Sequence, residues 1–159
     1  MTKTHANIRK FVYRFVSRSS ILRRLYYALN LRINRVIVNQ SIIDKFHAPS
    51  YLEIGLAGAY NFYCIDVHHK IAVDPKVKNN WCINKLKTYK NTKLVELTSD
   101  EFFASNIEYF DLIFIDGLHQ SQQVIKDVQN ALKFLNPNGI IVLHDCNPTS
   151  KVIFHKTLK

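Results

Sequence analysis

Glycine and proline are scarce in this chain, four of each in 159 residues. Collagen-like and low-complexity disordered architectures are excluded by that, together with a hydrophobic share of 47%. No apolar run approaches 18 residues, so no transmembrane helix is expected. The three cysteines, Cys64, Cys82 and Cys146, are widely separated and form no Cys-x-x-Cys pair. A disulfide scaffold and a structural zinc site are therefore not expected, and free thiols in a reducing, cytoplasmic setting are. Charged residues break every candidate secretory h-region. Acids are missing from one end: positions 1–48 contain a single one, Asp44.

What that end does contain is base. Lys3, Arg9, Lys10, Arg14, Arg18, Arg23, Arg24, Arg32, Arg35 and Lys45 account for nearly all of the net charge of +10. The remainder of the chain is close to neutral. Ile8, Phe11, Val12, Phe15, Leu22, Leu25, Tyr26, Leu29, Ile33, Val36 and Ile37 recur every three or four residues, which predicts a basic amphipathic helical arm over residues 1–47. Such an arm packs on the main domain with a solvated Arg face, or lies peripherally on an anionic membrane surface. A transit peptide has the same composition. Nucleic acid is not expected as a partner, because no organised recognition motif accompanies the bases. Trp81 with Lys78, Lys85, Lys87 and Lys90 reads as a solvated face, and His68-His69 as a loop pair whose side chains point apart.

Residues 48–159 alternate strand and helix. Tyr51–Ile54, Ile71–Val73, Leu94–Leu97, Leu112–Ile115 and Ile140–Leu143 are short apolar strand candidates. A short helix follows Gly55-Leu56-Ala57-Gly58 and runs through Phe62 and Ile65. Another is predicted from Ser121 to Leu135, with Val124, Ile125, Val128, Ala131, Leu132 and Leu135 on one stripe. Asn136-Pro137-Asn138-Gly139 is turn chemistry that ends it. Continuous apolar strands between helices call for a parallel sheet covered on both faces. The fold class is α/β: a Rossmann-like open doubly wound sheet of about five parallel strands, preceded by the helical arm.

In such sheets ligands bind outside the carboxyl ends of the strands. The polar residues that fall there are Gly55, Asp74, Ser99 with Asp100, Asp116, and His144 with Asp145. Gly55 and Asp74 have the separation of a glycine turn and the acid that accepts from both adenosine ribose hydroxyls. Gly55-x-x-Gly58 is too poor in glycine for a pyrophosphate, which needs bare backbone at several points. S-Adenosylmethionine, with an adenosine and no phosphates, asks less of the loop, and Glu53 suits its charged amino-acid end.

Five segments together resemble class I S-adenosylmethionine-dependent methyltransferases. They are Tyr51-Leu52-Glu53-Ile54-Gly55, Ala72-Val73-Asp74-Pro75, Thr98-Ser99-Asp100-Glu101-Phe102-Phe103, Phe110 through His119, and Gly139 through Pro148. Within that family the chain is similar to a bacterial small-molecule group tied to sugar and glycan modification. The resemblance covers about residues 50–148. It implies cofactor contacts at Glu53, Gly55, Gly58, Asp74, Ser99, Asp100 and Asp116, and methylation of a small hydroxylated acceptor near Asp116 and Asp145. It also implies Mg²⁺ or Mn²⁺ held by Asp116, Asp145 and Asn147, since the two acids end strands about 4.8 Å apart. His119, His144 and Asp145 are the candidate catalytic groups, the histidines as general bases.

Two departures from the family stand out. Ala59 occupies a position where relatives carry glycine. The family sheet also continues beyond strand five, where only Thr149–Lys159 remain. Strand five is thus expected to be an exposed edge that the N-terminal helices, a second copy of the chain or the Val152-Ile153-Phe154 tail covers. The other expectation is a truncated, non-catalytic cofactor-binding remnant of the fold.

Overall fold

The computed structural model describes residues 34–77, 84, 86 and 90–145. The greater part of the basic arm, the Trp81 cluster apart from Lys90, Cys82, Cys146, Asn147 and the tail lie outside the described residues. Nine elements are described: α1 (Arg35–Ile43), β1 (Ser50–Ile54), α2 (Tyr60–Cys64), β2 (His69–Val73), β3 (Thr92–Val95), α3 (Ser99–Ser105), β4 (Phe110–Ile115), α4 (Ser121–Lys133) and β5 (Leu135–Leu143). The strands form one parallel sheet in the order β3-β2-β1-β4-β5. The five-stranded Rossmann-like expectation is met.

The central strands are apolar on both sides because both sides are covered. Tyr51, Leu112 and Phe114 face a cluster with Val36 and Ile43 of α1 and with Phe62 and Cys64 of α2. Leu52, Ile54, Ile113 and Ile115 face Phe102 and Phe103 of α3 and Ala131 of α4. Alternate residues of one strand thus enter different cores, as a two-unit side-chain period dictates.

α1 falls within the stretch expected as an arm. Asn34 caps it, its side chain accepting from the amides of Val36 and Ile37. Val36, Asn39 and Ile43, three and four residues apart, are buried, so this part of the basic segment is packed into the domain.

Several boundaries differ from the sequence reading. β3 ends at Val95 rather than Leu97, because Thr98 and Glu101 form a capping box that starts α3. α4 stops at Lys133 and β5 begins at once with Leu135. The Asn136–Gly139 turn is therefore inside the span of β5. Leu135 pairs with Phe110 and Ile140 with Leu112, so the turn residues bulge out of register. Asn138 sits at φ 66° there, and a Cβ on Gly139 would meet Leu135 Cγ at 2.8 Å. β5 is an edge of the described sheet, with Ile140 and Leu143 exposed.

Candidate active site

The strand order reverses between β1 and β4, which opens a crevice beyond their carboxyl ends. Gly55 forms one lip and Asp116-Gly117 the other. Gly55 has φ +84°, and a Cβ there would lie 2.2 Å from the Asp116 carbonyl oxygen. Only glycine permits that approach. Gly58 differs: no atom lies within 4 Å of where its Cβ would be. Ala57, between them, has φ 45° and Ala59, just after Gly58, has φ 56°, both in the left-handed region.

Asp74, after β2, holds this loop. Its Oδ2 accepts from Leu56 N at 2.7 Å and Ala57 N at 3.3 Å, and its Oδ1 accepts from Lys76 N at 2.8 Å. A carboxylate offers about four acceptor sites. One remains for a ligand hydroxyl, fewer than the two that a ribose would use at a carboxylate without other partners.

Glu53 is buried, at 2% exposure. The Tyr51 hydroxyl donates to its Oε2 at 2.6 Å and Asn61 Nδ2 at 2.8 Å. Burial pushes its carboxyl up to about 7 against those two donors, which favour the charged form. Burial and the neighbouring Glu53 also push the Tyr51 hydroxyl well up. Lys70, likewise buried, donates to the carbonyls of Phe62 (2.7 Å) and Ile65 (2.8 Å) and lies 4.7 Å from the Phe62 ring centre. Asn39 is fully buried, with its amide beside the Tyr51 hydroxyl.

Ser99 and Asp100 begin α3, and both face α4. Gln123 Nε2 donates to Ser99 Oγ and Asp100 Oδ1 at 3.3 Å each, and Lys126 donates to Asp100 Oδ2 at 2.6 Å. The Lys126 ammonium holds the Asp100 carboxyl below its usual range.

The remaining candidates converge. His144 Nδ1 stands 3.0 Å from Asp116 Oδ1 and 3.2 Å from Asp145 Oδ1, so an imidazole lies between the two carboxylates. The other Asp116 oxygen, Oδ2, accepts from Arg35 Nη1 at the start of α1. His119 Nε2 is more distant, 3.9 Å from Asp116 Oδ1, and its side chain is mostly exposed. Asp116 itself is 11% exposed, whereas Arg35 is 44% exposed.

The donor set does not fit a divalent cation in the form expected of Asp116, Asp145 and Asn147. Among the described residues no cluster of three or more His, Cys, Asp or Glu is arranged to hold a metal. The space between the two acids is taken by His144, and Arg35 already neutralises Asp116. Asn147 lies outside the described residues.

Arg35, Tyr51, Asn61 and Lys70 are the functional or supporting residues that the sequence did not single out. Arg35 was one of many arm bases, and its contact with Asp116 spans 81 positions. Elsewhere, a groove at the amino ends of β1 and β2 is lined by Ile43, Phe46, Pro49, Val67 and His68. His69 turns the other way to Glu108, 2.8 Å from Oε2, so the adjacent histidines do diverge.

Residues 50–146 match a protein family described as a methyltransferase domain, which is more than half of the chain. No curated protein matches. Among solved structures, the N-methyltransferase NodS from Bradyrhizobium japonicum WM9 is similar with TM-score 0.59 at 18% identity, over 79% of this chain and 72% of that one. An O-methyltransferase from Bacillus cereus, solved in complex with SAH, gives TM-score 0.52 at 19% identity, over 76% and 62%. A precorrin-6y C5,15-methyltransferase from Geobacter metallireducens GS-15 gives 0.53 at 19%, over 76% and 65%. At these identities the likeness is one of fold. No helix among the described residues is long and apolar enough to cross a membrane.

Proposed function

The chain belongs to the methyltransferase domain family, and from that premise we propose that it transfers a methyl group from S-adenosylmethionine to a small hydroxylated acceptor, a sugar or glycan precursor. The observation that carries the reading is the Asp116–His144–Asp145 constellation beside Gly55, at the crevice where an open α/β sheet binds its ligands. The resemblance of the segments around Asp116 and Asp145 to a sugar-modifying group supports the acceptor class.

The loop residues suit the cofactor in outline. Gly58 faces open space, and Asp74 keeps one acceptor site beside it. When bound, S-adenosylmethionine supplies a methyl group on a sulfonium, a leaving group that needs no covalent help from the protein. The chain's contribution is to hold the acceptor in line and to take its proton.

His144 serves as that base. With Nδ1 beside the two carboxylates, Nε2 is the nitrogen left to act as the base. With an acceptor hydroxyl held at Nε2, its proton would pass to that nitrogen as the oxygen takes the methyl group and the donor's carbon–sulfur bond breaks to leave a neutral thioether. Asp116 and Asp145 stabilise the imidazolium that results. Asp116 is held in place by Arg35.

Calorimetric titration with S-adenosylhomocysteine tests the cofactor. Binding by the wild type is expected, and no binding overturns the reading. Radiolabelled methyl transfer to a panel of sugars and nucleotide sugars tests the acceptor. Cofactor binding without transfer to any of them favours the non-catalytic remnant.

A further inference from the structure

We propose that Arg35 is the resident cation of the acceptor site, so that Asp116 works without a divalent metal. The proposal takes from the functional reading only the location of the acceptor. The cation experiment below stands or falls independently of methyl transfer.

Both oxygens of the Asp116 carboxylate are engaged. Oδ2 accepts from the Arg35 guanidinium, and Oδ1 faces His144 Nδ1 at 3.0 Å. A Mg²⁺ or Mn²⁺ ion needs a carboxylate oxygen at about 2.0–2.2 Å and would have to displace one of these groups. The space between Asp116 and Asp145, where an ion shared by two strand ends would sit, holds the imidazole instead. Arg35 is well placed to supply the charge. It begins α1, whose Val36, Asn39 and Ile43 are buried against the sheet, so its starting point is fixed by packing. Its partner Asp116 is largely withdrawn from solvent, where an unpaired carboxylate would be costly. A guanidinium keeps its charge at every working pH and presents five N–H donors. One holds Asp116, and the side chain is 44% exposed.

A positioning role follows. By fixing one oxygen of Asp116, Arg35 leaves the other beside His144.

Mn²⁺ binding followed by electron paramagnetic resonance tests the proposal on the full-length chain, using wild type, Arg35→Met, Arg35→Lys and Asp116→Asn. The wild type is expected to leave the free Mn²⁺ signal undiminished. Arg35→Met should bind Mn²⁺ at least about tenfold more tightly, because a unit positive charge beside the carboxylate has gone. Arg35→Lys should restore exclusion, which a loss of helix packing alone would not do. Circular dichroism confirms that each variant is folded. Mn²⁺ binding by the wild type that Asp116→Asn abolishes overturns the proposal. So does a folded Arg35→Met that gains no affinity.

Discussion

A Cβ on Gly55 would stand 2.2 Å from the carbonyl oxygen of Asp116 and 2.6 Å from Gly117 Cα. The first glycine of the loop is thus required by the protein's own backbone, before any ligand arrives. A Cβ on Gly58 would meet open space. Gly55→Ala is expected to cost about 2–4 kcal/mol, from a left-handed φ together with a backbone collision that no side-chain rotation relieves. Gly58→Ala should stay within about 0.5 kcal/mol of the wild type. Urea denaturation measures both. With stability unchanged, weaker S-adenosylhomocysteine binding by Gly58→Ala would place the ligand over that residue, and unaltered binding would remove it from the site.

Ala57 and Ala59 both occupy left-handed backbone, but their methyl groups differ. Ala57 is exposed and Ala59 fully buried. Ala57→Gly should raise stability by about 0.5–1 kcal/mol, the relief of strain less the extra freedom of the unfolded chain. Ala59→Gly should gain little, since a buried methyl is worth about 0.8 kcal/mol. A shift in the urea midpoint at constant slope is the readout. Equal gains in both variants would refute the distinction.

Glu53 predicts a pH dependence of stability. Its carboxyl is raised from an ordinary 4.5 to about 7 by burial. Between those values the folded protein holds a proton that the unfolded chain has released, so stability falls as pH rises through that window and is flat above it. The full contribution is present below about pH 4.5. Its loss across the window is on the order of a few kcal/mol. Glu53→Gln keeps the acceptor oxygen for Tyr51 and Asn61 and should abolish this slope. The difference between variant and wild type, measured from pH 5 to 8, isolates it, and a difference that does not change with pH would show that Glu53 titrates normally.

His144→Gln tests the base. Transfer is expected to fall about 100-fold or more, with S-adenosylhomocysteine affinity changed less than threefold. A variant that retains full transfer would eliminate His144 as the base. His119→Gln, altering a mostly exposed side chain 3.9 Å from Asp116, should lose far less.

Much of this protein was legible along the chain, because the signals involved are local. The five apolar strands, the amphipathic α4 and the acids at the strand ends depend on side-chain periods of two and 3.6 residues and on turn chemistry. The order of the strand-end residues Gly55, Asp74, Asp116 and Asp145 was equally plain. The sequence determined that there would be a parallel sheet and that polar groups would gather at one of its ends.

Which of those groups meet was decided in three dimensions. Asp74 spends three acceptor sites on backbone amides, Glu53 is buried with Tyr51 and Asn61, and Ser99 and Asp100 turn to α4. Arg35 reaches Asp116 because α1 buries Val36 and Ile43 and brings its first turn to the end of β4. No periodicity records a pairing across 81 positions. It exists only once the sheet has placed β1 beside β4 and apolar burial has laid the helix over them, and that packing decides that Asp116 faces an arginine and a histidine instead of an open metal site.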